Sequence, residues 1–388
     1  MLQFQLTVPT DIRFGAGRVS EVPEALAGLG ASRVLVVTGR TTSRADAIRA
    51  ALTEADISSV VFAVAAEPSI GRVRAAVALL AEASCDAVLG FGGGSALDVA
   101  KAAAVLGISG NDPLDHLEVI GAGRPIDAPG LPCVAVPTTA GTGSEVTRNS
   151  VLSGSGVKAS LRSPLLLPKV AVVDPDLLVG VPQPTIATSG MDALSQLIEP
   201  LLSRRANPFT DALARDGIRR SARSLRRAYE EGMEDAAVRE DLALASLFSG
   251  MCLANAGLGA VHGLAAAAGA RFSAPHGAVC AAVLAAAVEV NLRALRERAP
   301  EHPALPRLTE MATLLTGRPD ATPEDAIAWL DQLTAALSIP GLASYGLDQA
   351  EIGEIDAVVA AAQRASSMRG NPIELSDEEV REIVTRSQ

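Results

Sequence analysis

The sequence predicts two domains: an α/β N-terminal domain built on a parallel sheet, and an all-α C-terminal domain. Three observations carry this prediction. Short apolar runs alternate with helical periodicity as far as Asp174-Pro175. From Pro184 onward long helical patterns follow one another with no strand-like run between them. Finally, 48% apolar and 20% charged residues in a chain of 388 can fill two such cores and argue against disorder.

The elements follow in order. Arg33–Thr38 (RVLVVT) is a β-branched run that reads as a buried strand. Thr42–Ala55 reads as a helix, Val60–Ala65 as a strand and Val73–Ala83 as a helix. Ala87–Phe91 (AVLGF) is the next strand, Leu97–Val105 the next helix, and Val134–Pro137 a further strand. Alternation at this spacing predicts βαβ units and a sheet covered on both faces. Gly107–Pro132 is punctuated by Gly and Pro and reads as a long loop or a small hairpin. Helices are then predicted over Gly190–Leu202, Pro208–Glu230, Val238–Ala256, Ala278–Glu297, Pro306–Thr316, Pro323–Leu337, Asp348–Ala365 and Asp377–Ser387. The boundary falls near residue 178, giving domains 1–177 and 178–388, and no internal repeat is visible.

Charge and composition exclude some classes of function. A net charge of -11 repels phosphates, which opposes non-specific binding to nucleic acid or an anionic membrane. Cys85, Cys133, Cys252 and Cys280 lie in apolar settings without CxxC spacing and read as buried small hydrophobes in a reducing compartment. Met1 to Asp11 lacks a basic stretch followed by an apolar one, so no signal peptide is predicted and the expected location is the cytoplasm. Met251–Ala270 is charge-free and long enough to raise a membrane question. Its Ala and Gly content, with Asn255 and His262, favours a buried helix and turn.

Two segments look built for phosphate. Gly92-Gly93-Gly94-Ser95-Ala96-Leu97-Asp98 follows a strand and opens a helix. Glycines let the backbone approach a pyrophosphate, and the helix start offers unpaired N–H groups and the positive end of its dipole. A tight strand–helix turn with no ligand is the competing reading, and the pattern is not GxGxxG. Pro137–Thr147 (PTTAGTGSEVT) also follows a strand and is dense in hydroxyls, as a loop wrapped on a nucleotide would be. An ordinary Ser/Thr/Gly turn is its alternative.

Of four histidines, His262 and His276 sit among small residues, where each is either a satisfied core histidine or a metal ligand. His116 and His302 lie among polar or loop residues and read as surface. Asp192 lies at a predicted helix start, Ser189-Gly190-Met191-Asp192.

These residues resemble the iron-containing, or group III, alcohol dehydrogenase family, in the superfamily with glycerol dehydrogenase and dehydroquinate synthase. The matches run from Arg13-Phe14-Gly15-Ala16-Gly17 to Gly370-Asn371-Pro372. The strongest are the two phosphate segments, Val173-Asp174-Pro175-Asp176, Gly190-Met191-Asp192-Ala193 and Pro275-His276-Gly277. The resemblance implies an N-terminal dinucleotide-binding domain, a helical metal-binding domain, an active site between them and a homodimer. It also implies that Gly93, Gly94, Ser95, Ala96 and Leu97 hold the pyrophosphate. Thr138, Thr139, Thr142, Val151 and Lys158 would contact the cofactor. Asp98, toward the nicotinamide, and His262 are the implied catalytic residues.

The family's metal site uses one Asp and three His. Asp192, His262 and His276 match three of them. The position four residues after the Asp is Gln196, which is expected to add a neutral oxygen to the metal set, and the place of a proton-relaying His is taken by Ala266. One carboxylate and two imidazoles still make a normal catalytic set for a divalent ion such as iron or zinc.

The end of the first strand carries Gly39 and Arg40, with Arg44 a turn later, where an acid would select NAD. This predicts that NADP(H) is accepted alongside NAD(H), unless the two arginines are only solvated helix-start charges. The predicted function is NAD(P)-dependent interconversion of a small alcohol and its aldehyde or ketone, probing no nucleic acid and no membrane. The alternatives are a metal-independent reductase of a carboxylated carbonyl, with Arg148, Lys158 and Arg162 binding carboxylate as in maleylacetate reductases, and a non-catalytic nucleotide-binding homologue. A lyase of the dehydroquinate synthase type fits the Gly141–Glu145 segment poorly.

Overall fold

The structure is a computed structural model and describes residues 4–7, 11–154, 157–272, 274–347 and 352–387. The chain divides into one unit over Val8–Val179 and a second made of Met1–Thr7 with Gly180–Gln388.

The first unit is α/β. In chain order its elements are β1 (Asp11–Phe14), α1 (Val22–Gly28), β2 (Arg33–Gly39), α2 (Asp46–Glu54), β3 (Ser58–Val64) and α3 (Ile70–Glu82). They continue with β4 (Ala87–Gly92), α4 (Gly94–Ser109), the single turn α5 (Pro113–His116), β5 (Cys133–Pro137), β6 (Asn149–Gly154), β7 (Val157–Arg162) and β8 (Val170–Val173). Six strands form one parallel sheet in the order β1-β8-β5-β4-β2-β3.

Strand alternation decides which layer each side chain joins. Leu35, Val37 and Val88 pack with Val73, Ala76 and Leu80 of α3 and Val99 and Ala103 of α4. Their neighbours Val34, Val36 and Leu89 pack on the opposite face with Val22 and Leu26 of α1 and Ile48 and Leu52 of α2. A strand buried on both faces has no polar side, which is why Arg33–Thr38 reads as a continuous apolar run.

Four strands depart from expectation. β1 and β8 pair with each other, Asp11 opposite Val170, and were not anticipated because four residues are too few to show alternation. The hairpin lies at Asn149–Arg162 as β6 and β7, not within Gly107–Pro132. The latter region is a loop around α5, whose Asp112 caps it and whose Asp115 completes the capping box.

Lys101 of α4 fixes the segment after β5. Its side chain is fully buried, and Nζ donates to the Ser144 carbonyl at 2.9 Å, to Thr147 Oγ1 at 3.0 Å and to the Asn149 carbonyl, with Asp98 Oδ1 at 3.3 Å. A buried ammonium survives only with such full pairing. Glu145 is buried beside it, and burial pushes its carboxyl up to about 7 against the pull of its own backbone N–H and of Lys101.

The second unit is helical: α6 (Gln183–Leu202), α7 (Pro208–Glu231), α8 (Ala236–Ala256), α9 (Ala260–Arg271), α10 (His276–Arg298), α11 (Ala304–Thr316), α12 (Pro323–Ala336), α13 (Ile352–Arg364) and α14 (Asp377–Arg386). No strand occurs among its described residues. The expected start of the penultimate helix at Asp348 lies outside the described residues, as do parts of the Met1–Asp11 stretch. Met251–Ala270 forms the end of α8, a turn and α9, bent by 101°. Gly257 makes the turn at φ +70°, a conformation that disfavours any side chain. α10 is apolar and long enough to cross a membrane, but 83% of its most apolar window is buried against the rest of the protein, as in a core helix.

Glu145 sets a pH dependence. Below pH 4.5, the ordinary value, the carboxyl is protonated in the folded and unfolded chain alike. Between 4.5 and about 7 only the unfolded chain releases the proton, so stability is lost as pH rises through the folded value. Glu145→Gln is expected to match the parent near pH 4.5 and to exceed it by about 1–3 kcal/mol at pH 8, read by chemical denaturation at both pH values.

Candidate active site

The two phosphate-type segments meet at the carboxyl ends of neighbouring strands, the usual ligand edge of a parallel sheet. A methyl group added at Gly93 would lie 3.1 Å from Thr139 Oγ1, and one at Gly94 would lie 2.8 Å from Thr142 Oγ1. Bare backbone at both positions lets the loop after β4 lie against the loop after β5. Thr138 N–H donates to the Gly92 carbonyl at 3.0 Å and closes the contact. Gly39 joins the same edge, since a methyl at Gly92 would reach its nitrogen at 3.3 Å. Ala96 and Leu97 N–H groups bond back to the Gly93 carbonyl. Those of Gly94 and Ser95 open the helix and have no acceptor within it.

Asp98 ties the second loop and the hairpin to α4. Its Oδ1 accepts from Ser144 Oγ at 2.5 Å and its Oδ2 from Val151 N–H at 2.8 Å. Lys158 pairs with Glu67 at 3.1 Å and Arg162 with Glu118 at 3.1 Å. Arg40 donates to the Ala65 carbonyl at 2.9 Å and Arg44 to the Leu177 carbonyl at 2.8 Å.

In the helical unit, Asp192 of α6, His262 of α9 and His276 and Cys280 of α10 converge. One ligand atom from each lies within 4.8 Å of every other. Asp192 Oδ1 is 3.2 Å from His262 Nε2, 3.8 Å from His276 Nε2 and 3.7 Å from Cys280 Sγ. Cys280 Sγ is 3.8 Å from His262 Nε2. Gly277 permits the approach of α10 to α6, because a methyl there would lie 2.2 Å from the Thr188 carbonyl oxygen.

Two further α6 side chains support the cluster. Glu199 Oε2 takes a hydrogen bond from His262 Nδ1 at 2.6 Å, while its Oε1 accepts from Val261 N–H at 2.7 Å. Nδ1 therefore carries a proton, and Nε2 is the ring nitrogen that faces Asp192 and Cys280. Gln196 is hydrogen bonded to the Asp192 carboxylate, and its Oε1 accepts from Ser249 Oγ at 3.2 Å.

Burial alone would push the two imidazoles down and the carboxyl and thiol up. The mutual attraction of the cluster overrides it. His262 is held well above its ordinary value by Cys280, Glu199 and Asp192, and His276 is raised by Cys280 and Asp192. Asp192 is lowered by His262 and His276, and Cys280 is lowered by the same two imidazoles. By contrast, burial pushes the Cys133 thiol up to about 12 and raises that of Cys252.

Sequence reasoning missed Cys280 and Glu199. Cys280 stands one helical turn after His276, and Glu199 two turns after Asp192, so helical spacing carried both signals. The expectation that all four cysteines are inert core fillers is corrected for Cys280, which faces ligand-type atoms rather than only apolar ones. The expectation of a surface His116 is also corrected: it is 7% exposed, with Nδ1 bonded to the Arg124 carbonyl at 2.9 Å.

With this geometry in place, comparison with known proteins is informative. The signature described as "Iron-containing alcohol dehydrogenase" matches residues 9–175, and "Fe-containing alcohol dehydrogenase family, C-terminal" matches residues 186–388. The 1,3-propanediol dehydrogenase of Klebsiella pneumoniae is 35% identical over 90% of this chain and 90% of its own. Alcohol dehydrogenase 4 of Saccharomyces cerevisiae is 32% identical over 98% and 97%. The crystal structure of a 1,3-propanediol oxidoreductase, 32% identical, superposes with a TM-score of 0.90 over the whole of both chains. The chain belongs to the iron-containing alcohol dehydrogenase family. It is an oxidoreductase of the NAD(P)-dependent kind that interconverts alcohols and carbonyls with the help of a divalent metal. The two alternative readings are not favoured: the curated relatives are alcohol dehydrogenases, and Lys158 and Arg162 already face acids.

The donor set fits a divalent ion. A tetrahedral ion at about 2.0–2.3 Å from N, O and S donors spaces those donors about 3.3–3.8 Å apart, close to the separations seen between Asp192, His262, His276 and Cys280. Glu199→Gln keeps the shape but weakens the carboxylate grip on Nδ1. It is expected to weaken metal affinity about 10–100-fold, measured by competition with a chromophoric chelator, with little change in melting temperature.

Proposed function

We propose that this chain reduces small aldehydes or ketones, and oxidises the matching alcohols, with Asp192, His262 and His276 holding the divalent ion. The observation that carries the reading is the convergence of three ligand-type atoms from α6, α9 and α10, with Asp192 and His262 buried and His276 half-buried. The ion, when bound, supplies Lewis acidity to the substrate oxygen, and the nicotinamide supplies or accepts the hydride.

The chain's own residues do the rest. The bare backbone of Gly93 and Gly94 and the opening turn of α4 at Ser95, Ala96 and Leu97 receive the pyrophosphate. The Thr138, Thr139 and Thr142 hydroxyls wrap the nucleotide, and Val151 and Lys158 border it. Asp98 lies toward the nicotinamide, its carboxylate oriented by Ser144 and Val151. Glu199 holds the proton of His262 at Nδ1, which keeps Nε2 available as a donor atom. Ala266 offers no proton relay, so protons reach the site through water or the cofactor ribose. Gly39 and Arg40 lie where the adenosine ribose is read, and the absence of an acid there favours acceptance of NADP(H) as well as NAD(H). We read the two domains as 1–177 and 178–388, and the enzyme as a cytoplasmic homodimer; the location rests on the cysteine settings and the dimer on family likeness.

Turnover of short aliphatic aldehydes with NADPH and NADH tests the proposal, alongside cofactor affinity by fluorescence titration. His262→Ala is expected to lower kcat at least about 100-fold, as removal of a Lewis-acid contact does, while leaving cofactor affinity within about twofold. Unchanged turnover in that variant would remove His262 from the mechanism.

A further inference from the structure

We infer that Cys280 is the fourth protein ligand of the metal site and that its thiolate adapts the site to zinc(II) rather than iron(II). The inference rests on the proposed role of Asp192, His262 and His276 and extends it to a residue outside that set.

Position 196 cannot supply a strong donor. Its side chain is an amide, hydrogen bonded to Asp192 and engaged through Oε1 by Ser249. Gln196 is thus a positioning residue for Asp192. The donor strength lost there reappears on a different helix. Cys280 is fully buried, lies on the same turn-to-turn face of α10 as His276, and brings Sγ to 3.7 Å from Asp192 Oδ1 and 3.8 Å from His262 Nε2. A structural cysteine gains there only the weak hydrogen bond that its thiol donates to Asp192. Of the four cysteines, Cys280 is the one in a group of ligand-type atoms among the described residues.

The chemistry then selects the ion. Exchanging an imidazole for a thiolate makes the donor set softer and adds a negative charge, so Asp, His, His and Cys together neutralise a dication. Soft sulfur in a tetrahedral set favours zinc. Four protein donors complete a tetrahedron, so a substrate oxygen would enter as a fifth ligand, a coordination number that zinc reaches in some catalytic transition states.

Cobalt(II) reports on the ligands independently of activity. Apoprotein prepared by chelation is titrated with cobalt(II), and the absorption spectrum is recorded for the parent, Cys280→Ser and Cys280→Ala, with circular dichroism confirming that each is folded. The parent is expected to show the intense near-ultraviolet thiolate-to-cobalt charge-transfer band. Both variants should lose that band, keep the weaker visible bands and bind zinc at least about tenfold less tightly. Visible bands without charge transfer in the parent would overturn the role of Cys280 while leaving the Asp–His–His site standing. No cobalt bound at all would overturn both. In competition between equal zinc(II) and iron(II) under anaerobic conditions, the parent should hold zinc, and a preference for iron would contradict the inference.

Discussion

The helical unit depends on how it accommodates one buried carboxylate. Asp192 is 3% exposed on the apolar face of α6, where an unpaired charge would cost several kcal/mol. It is tolerated because α9 and α10 each deliver an imidazole to it and Gln196 adds a hydrogen bond. Those contacts require close helix approach, and the small residues supply it. Gly277 lets α10 close on the Thr188 carbonyl, and Gly259 lies where a methyl would reach Glu199 Oε1 at 3.0 Å. Gly259 and Gly277 are therefore packing requirements of the site.

The α/β unit solves a parallel problem with backbone. Gly93 and Gly94 leave room for Thr139 and Thr142, so two loops from adjacent strands form one surface. Lys101 and Asp98 then pin the second of those loops and the hairpin to α4. The buried ammonium is satisfied by the carbonyls and hydroxyl of this segment. In both units, buried charge orders the segments that carry chemistry.

Much of this was legible in the sequence, for physical reasons. Strands buried on both faces, such as β2 and β4, announce themselves as β-branched runs, and the long helices show their period. β1, β8 and the polar hairpin β6–β7 did not, because four-residue strands and sequences like NSVLSG carry little alternation. Asp192, His262 and His276 stood out as charged or polar residues among small apolar ones. Cys280 did not stand out, because a cysteine in an apolar helix looks like core until the fold shows what it faces. Glu199 was hidden for the opposite reason: glutamate is common on helices, and only the contact with His262 distinguishes this one.

The most direct measurement of the central claim is a crystal structure of the protein, purified without chelator, with anomalous difference maps collected on either side of the zinc absorption edge. The account predicts one zinc peak per chain within bonding distance of Asp192, His262 Nε2, His276 Nε2 and Cys280 Sγ. A peak bonded elsewhere, or a well-ordered cluster with full side-chain density and no ion between the four residues, would contradict it.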